Sequence, residues 1–272
     1  MMTTKLKIVF IGGNHPRHLY YLNRINERFP ISGAIIEKRS NGTNEKNPIP
    51  PNDISEQDRE NFVKHFSNRH ITEQKYFGNG KIPKCKLLEI QKQELNSKST
   101  VDFINSIKPN IVLIYGSHLI KEPLYSKLPE NTINLHGGLS PKYRGTATMF
   151  WPFYFLEPNY VGTTFHHIVS EPDAGTIIHQ SVPTLERGDK IHDVSCKTIV
   201  QSSRDVIRLL EIFEKMGKWE KFSQKGTGKN FLEKDFRPEH LRIIYDFFDD
   251  DIVGKFLDGN IHSTKPNLIR QF

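Results

Sequence analysis

The apolar positions change period along the chain, and the changes mark out elements. Residues 6–11, apolar and β-rich apart from Lys7, predict a buried strand. Gly12-Gly13 then reads as a tight turn. Residues 17–29 carry Leu19, Leu22, Ile25 and Phe29 at helical spacing, and 31–36 are again strand-like. A strand, glycine turn, helix and strand within about 30 residues opens a parallel α/β sheet. Residues 39–54, rich in Asn, Pro and Gly, predict a surface loop, and 55–76 a helix with a thin apolar face of Phe62, Phe66 and Ile71. The stretch 39–80 reads as a polar insertion into the α/β rhythm.

The rhythm then resumes. Strands are expected at 85–90, 111–115 (the most apolar, hence central), 132–136, 160–168 and 176–182. Helices are expected at 99–107 with Ser99 as N-cap, at 123–128, and over 189–216, where Val194, Ile199, Val206, Leu209, Leu210 and Phe213 share one face. The tail has a glycine turn at 226–228 and helical stretches at 238–248 and 252–257. The fold class that follows is α/β: a Rossmann-like, mostly parallel sheet flanked by helices. Residues 1–216 would form the main domain and 217–272 a small C-terminal hairpin and helix extension.

Composition adds little to this picture. At 272 residues, 36% hydrophobic and 25% charged, the chain is an ordinary globular protein. Its two cysteines are far apart and in no metal-ligand spacing, which argues against a disulfide framework. The apolar run at 8–11 is too short for a signal peptide, and nothing approaches a membrane span, so a cytoplasmic location is expected. The formal charge of +7 suits an anionic ligand or simple solubility; no basic stripe with interleaved aromatics points to nucleic acid.

Chemistry concentrates in Asn134-Leu135-His136-Gly137-Gly138-Leu139-Ser140-Pro141-Lys142-Tyr143-Arg144-Gly145. Asn134 and His136 alternate onto one face at a strand's carboxyl end, where open α/β sheets bind ligands. Asp173, within Pro172-Asp173-Ala174-Gly175, lies far enough downstream to return beside them. Asn and His donors can stabilise a developing oxyanion, and a carboxylate beside the imidazole fixes its tautomer. Ser140 lacks a nucleophile-elbow context and reads as structural. His166 and His167 are adjacent in a strand and face opposite sides, so they make no joint metal site, and one of them is expected to face solvent. The Phe150-Trp151-Pro152-Phe153-Tyr154-Phe155 run reads as core packing with a secondary chance of shaping a pocket. Asp249-Asp250-Asp251 reads as a solvated helix start.

These motifs resemble the central motifs of formyltransferases that use N10-formyltetrahydrofolate: the Asn134-Leu135-His136 run through Gly145, and Phe165-His166-His167 through Asp173-Ala174-Gly175-Thr176-Ile177. The resemblance covers roughly 6–216 and is strongest over 111–180. It implies Asn134, His136 and Asp173 as the catalytic triad. It also implies a folate pocket lined by Tyr115, Gly116, Gly137, Leu139, Ser140, Pro141 and Glu171. Asn14, His15 and Arg17 in the first loop, with Lys142, Tyr143 and Arg144, are the candidate acceptor-binding residues. Gly137-Gly138 departs from the Ala-Ser or Pro-Ser usual after the histidine. The short tail, unlike the β-barrel of methionyl-tRNA formyltransferases, resembles that of nucleotide-sugar formyltransferases, which implies a nucleotide-linked amino sugar as acceptor, surface-polysaccharide biosynthesis as setting, and a homodimer. Methionyl-tRNA, a small amine such as hydroxyornithine, and a non-catalytic folate-binding role are the alternatives.

Overall fold

The computed structural model describes residues 6–38, 48–225 and 228–272. Seven strands form the main sheet: β1 (Ile8–Gly13), β2 (Gly33–Glu37), β3 (Lys86–Ile90), β4 (Ile111–Tyr115), β5 (Thr132–His136), β7 (Thr163–His167) and β8 (Ile177–Ser181). Their order is β3-β2-β1-β4-β5-β7-β8, with β4 in the middle as its uniform apolarity predicts. Pairing is parallel from β3 through β5 and antiparallel across β5–β7 and β7–β8. A second small ladder joins β6 (Tyr143–Gly145) and β9 (Lys229–Phe231) in parallel.

The helices are α1 (Pro16–Arg28), α2 (Glu56–Phe77), α3 (Lys98–Ile107), α4 (Trp151–Tyr154), α5 (Ile191–Met216) and α6 (Ile252–Leu257). Alternate strand residues serve the two faces of the sheet. Phe10, Ile36, Leu113 and Leu135 pack beneath α1 and α5, whereas Val9, Ile11, Ile35 and Val112 pack over α3. Both faces being covered explains the unbroken apolar runs of β1 and β4.

A third cluster lies beyond the sheet. Phe62 of α2, Trp151 and Phe153 of α4, and Ile191 and Val194 of α5 meet Phe231, Leu241, Ile244, Tyr245 and Ile252. Residues 217–272 therefore share a core with the rest of the chain. The hairpin expected in this extension takes another form, because β9 pairs with β6 instead of with a neighbour in the tail. Helix 238–248 resolves into a 3₁₀ turn, Pro238–Leu241, and a π-helical segment, Ile243–Phe247.

Other differences are local. Helix α3 begins at Lys98 with Ser97 in the N-cap position, and the hydroxyl of Ser99 bonds that of Ser97 instead of capping the helix. Ile71, expected on the apolar face of α2, is 64% exposed. Asp250 is buried: its carboxylate accepts the Ile191 backbone N–H at the start of α5. The polar loop 39–54 and the glycine turn fall partly outside the described residues.

Candidate functional site

The carboxyl ends of β4 and β5 open into a cavity of about 550 Å³. Asn134 and His136 line it, side by side on β5 as strand alternation requires, and Asp173 reaches it from the loop between β7 and β8. The Asp173 carboxylate is 3.4 Å from Nδ1 of His136 and 3.4 Å from Nε2 of His166, and accepts the Gly145 N–H at 3.3 Å. His166 is the direct cross-strand partner of Asn134, and Asn134 Nδ2 lies 3.1 Å from His166 Nε2. Four side chains, Asn134, His136, His166 and Asp173, thus form one connected set.

Backbone carbonyls assign the ring protons. His136 Nε2 donates to the Tyr143 carbonyl at 3.0 Å, and His166 Nδ1 donates to the carbonyl of His167 at 2.9 Å. In neutral rings the remaining lone pairs, Nδ1 of His136 and Nε2 of His166, both face the Asp173 carboxylate. Adding one proton converts either contact into a charge-assisted hydrogen bond. Burial pushes the His136 pKa below the ordinary imidazole value, only partly opposed by Asp173, so this ring is a neutral base at pH 7. Burial disfavours the Asp173 anion, but the His166 hydrogen bond, the charges of His136 and His166 and the Gly145 N–H outweigh it, holding the carboxyl down to about 2.

The loop geometry that delivers Asp173 is unusual. Asp173 itself has φ 54°, a left-handed conformation that costs a non-glycine residue free energy. Gly175 follows so close to β7 that a Cβ would lie 1.7 Å from the His167 carbonyl oxygen. The Asp-Ala-Gly pattern is therefore required at its last position by backbone approach.

The cavity's far wall comes from elements whose sequence showed no chemistry. Helix α2 supplies His65, Phe66, Arg69 and Glu73, and α5 supplies His192, Ser195 and Cys196. Arg17 of α1 pairs with Glu73 at 2.8 Å, and Arg69 lies over the Phe66 ring. Burial, then neighbouring positive charge, pushes His192 down to about 3; burial and His192 likewise lower His65. Both rings are neutral near pH 7 and add no charge to the wall. Burial raises the Cys196 thiol, leaving it protonated, and Phe150 of the aromatic run also lines the cavity. His18 sits under Tyr115, 4.6 Å between ring centroids, in space left by Gly116, where a Cβ would be 2.2 Å from the imidazole.

Of the remaining expected residues, Arg17, Tyr115, Gly116 and Gly137 line this cavity. The others lie elsewhere. Leu139 and Ser140 are buried under β7, where the Ser140 N–H donates to Thr164 and its carbonyl accepts Gln180. Pro141 follows them outside the lining. Lys142 and Tyr143 turn away to Glu157, the Tyr143 ring stacking on Phe231. Arg144 approaches exposed Glu171 at 3.8 Å. Asn14 is exposed, and half-buried His15 stacks edge-on with His18 outside the lining. His167, expected to face solvent if His166 did not, is buried with Nδ1 near Thr176. Among the described residues, no group of three or more His, Cys, Asp or Glu is placed to hold a metal ion, and no helix is long and apolar enough to cross a membrane.

A family model described as formyl transferase matches residues 40–209. Solved structures share the fold at low identity. A phosphoribosylglycinamide formyltransferase from Anaplasma phagocytophilum is 13% identical, with TM-score 0.55 over 85% of this chain and 99% of that one. The formyltransferase PseJ from Anoxybacillus kamchatkensis, in complex with UDP-4,6-dideoxy-4-formamido-L-AltNAc and tetrahydrofolate, is 17% identical, with TM-score 0.52 over 90% and 95%. An N-formyltransferase from Helicobacter canadensis, in complex with folinic acid and dTDP-3-aminofucose, is 16% identical, with TM-score 0.52 over 89% and 81%.

Proposed function

We propose that this chain, which belongs to the formyl transferase family, moves the formyl group of N10-formyltetrahydrofolate onto the amine of a nucleotide-linked amino sugar. The observation that carries this reading is the convergence of Asn134, His136 and Asp173 on one wall of a cavity of about 550 Å³, a volume that suits a ligand of nucleotide-sugar size. The opposite wall offers aromatic rings and the guanidinium groups of Arg17 and Arg69, which suit a heterocycle and anionic oxygens. Two fold neighbours hold nucleotide sugars together with folates, which supports the same acceptor and donor.

The chemistry is direct acyl transfer, with no enzyme nucleophile. The acceptor amine attacks the formyl carbon. Negative charge grows on the formyl oxygen, and the Asn134 amide and the His136 Nε2–H are the donors available to it. To serve there, the Nε2–H turns from the Tyr143 carbonyl, its partner in the resting site. The proton lost by the amine goes to the Asp173–His136 pair and rests on Nδ1, where the carboxylate stabilises the imidazolium. The bond from the formyl carbon to N10 then breaks, N10 takes the proton, and tetrahydrofolate leaves with the new formamide already formed.

The test is tetrahydrofolate release from N10-formyltetrahydrofolate with a panel of acceptors: dTDP-3-aminofucose and other nucleotide-linked amino sugars, phosphoribosylglycinamide, hydroxyornithine and methionyl-tRNA. Turnover with an amino-sugar nucleotide alone supports the reading. Turnover confined to phosphoribosylglycinamide would replace it with the second reading that the fold neighbours favour.

A further inference from the structure

Asp173 is held from behind by a residue outside the motifs. Gln224, in the segment after α5, spends both hydrogens of its side-chain amide on the Asp173 loop. Nε2 donates to the Asp173 carbonyl at 2.6 Å and to the Gly175 carbonyl at 2.8 Å. Its backbone is itself placed by a two-way bridge two residues earlier, where Phe222 and Ile177 exchange N–H···O bonds of 2.8 and 2.9 Å. The segment therefore sits at the start of β8, and the Gln224 side chain reaches back across the turn.

The turn needs such a clamp. A left-handed non-glycine residue persists only where its surroundings over-determine it. The turn's own bond, Ala174 N–H to the Glu171 carbonyl, is long at 3.4 Å. The two Gln224 bonds are the short ones, and they fix the carbonyls on either side of Ala174. With the backbone fixed, the carboxylate stays between His136 and His166.

We propose that Gln224 is a positioning residue for catalysis: it holds the Asp173 backbone so that the carboxylate stays aligned on His136. The claim rests on the catalytic assignment of Asp173 above, and the experiment separates the two. Three single variants are needed. Gln224→Met keeps shape without donors, Gln224→Glu sets an acceptor against two carbonyls, and Gln224→Lys restores an N–H donor. Turnover is measured as tetrahydrofolate release with dTDP-3-aminofucose, or with whichever panel acceptor the native chain uses. The imidazole of His136 is titrated by NMR, which needs no acceptor.

The expected result is a fall in kcat of roughly 10- to 100-fold in the Met and Glu variants, with acceptor KM little changed and partial recovery in the Lys variant. The His136 titration, in a ring that faces Asp173, His166 and Arg144, should move to lower pH, in the same direction as in Asp173→Asn. Asp173→Asn combined with Gln224→Met should be no slower than Asp173→Asn alone, since the clamp acts only through the carboxylate. Unchanged kcat in Gln224→Met, or losses that simply multiply in the double variant, would overturn the proposal. Should Gln224→Met not fold, an equal loss in folded Gln224→Lys and Gln224→Glu would also overturn it. Full turnover by Asp173→Asn would instead remove the catalytic assignment beneath it.

Discussion

Asn134 and His166 face each other across the β5–β7 ladder, amide to imidazole at 3.1 Å. This pair ties Asn134, the proposed oxyanion donor, to the carboxylate, because the same Nε2 stands 3.4 Å from Asp173. His166→Phe should keep the fold, since the side chain is buried and the ring is kept, yet slow turnover by about 10- to 100-fold. Wild-type kcat in that variant would reduce His166 to a packing residue.

His136→Ala and Asp173→Asn should each lower kcat by about 10²- to 10⁴-fold. Because burial depresses the His136 pKa, the acid limb of kcat should fall below the ordinary imidazole range in the native chain. Asp173 opposes that depression, so in Asp173→Asn the residual activity should persist to lower pH still. Steady-state kinetics from pH 4 to 9 would show both limbs. A limb that moved upward in Asp173→Asn would contradict the pairing.

The carboxyl of Asp250 is pushed up to about 6, first by burial, although the Ile191 N–H works against the shift. Its folded pKa exceeds the unfolded one, so the folded state binds more protons between about pH 4 and 6. Stability from this group is present below about pH 4 and lost as pH rises through 6, by at most about 3 kcal/mol. Asp250→Asn retains an acceptor for Ile191. It should raise the Tm by several degrees at pH 8 and by much less at pH 4. A Tm difference independent of pH would show that Asp250 titrates normally.

The last residues cover the edge of β8. Gln180 N–H donates to the Ile269 carbonyl, Phe272 stacks on His179 at 4.5 Å, and Arg208 lies over the Phe272 ring. Deleting 267–272 should cost a few kcal/mol and expose an edge strand able to pair with another chain. Thermal melts and light scattering should show a lower Tm and concentration-dependent association. Unchanged melting would mean that the edge is sealed without them.

The sheet and the residues that face each other at its end were legible because both follow local rules. Buried parallel strands are continuous apolar runs, and Asn134 and His136 share a face by alternation alone. His166 was visible as a histidine in a strand, but its pairing with Asn134 depends on an antiparallel register that no local pattern carries. The cavity wall was hidden for the opposite reason. His65, Arg69, Glu73 and His192 are scattered polar residues on helices, and only tertiary packing turns them to one space. Leu139 to Arg144 stand apart from the cavity lining for a reason no local pattern shows: that loop is buried, or directed to Glu157 and Glu171.

Helix α2 is pinned toward each end, Asp58 by Nε and one Nη of Arg242 at 2.7 Å and Glu73 by Arg17, and between them Phe62 packs into the third cluster and His65 bonds Tyr245. The contacts that join Asn134, His136, His166 and Asp173 run within β5, β7 and the loops that follow them. Wall and candidate chemistry thus lie on different elements, so under the proposed function the surface offered to the amine could be recast while Asn134, His136 and Asp173 stay in place. A graft of 55–78 from another member of the fold is the route by which one formyl-transfer engine would be given a new customer.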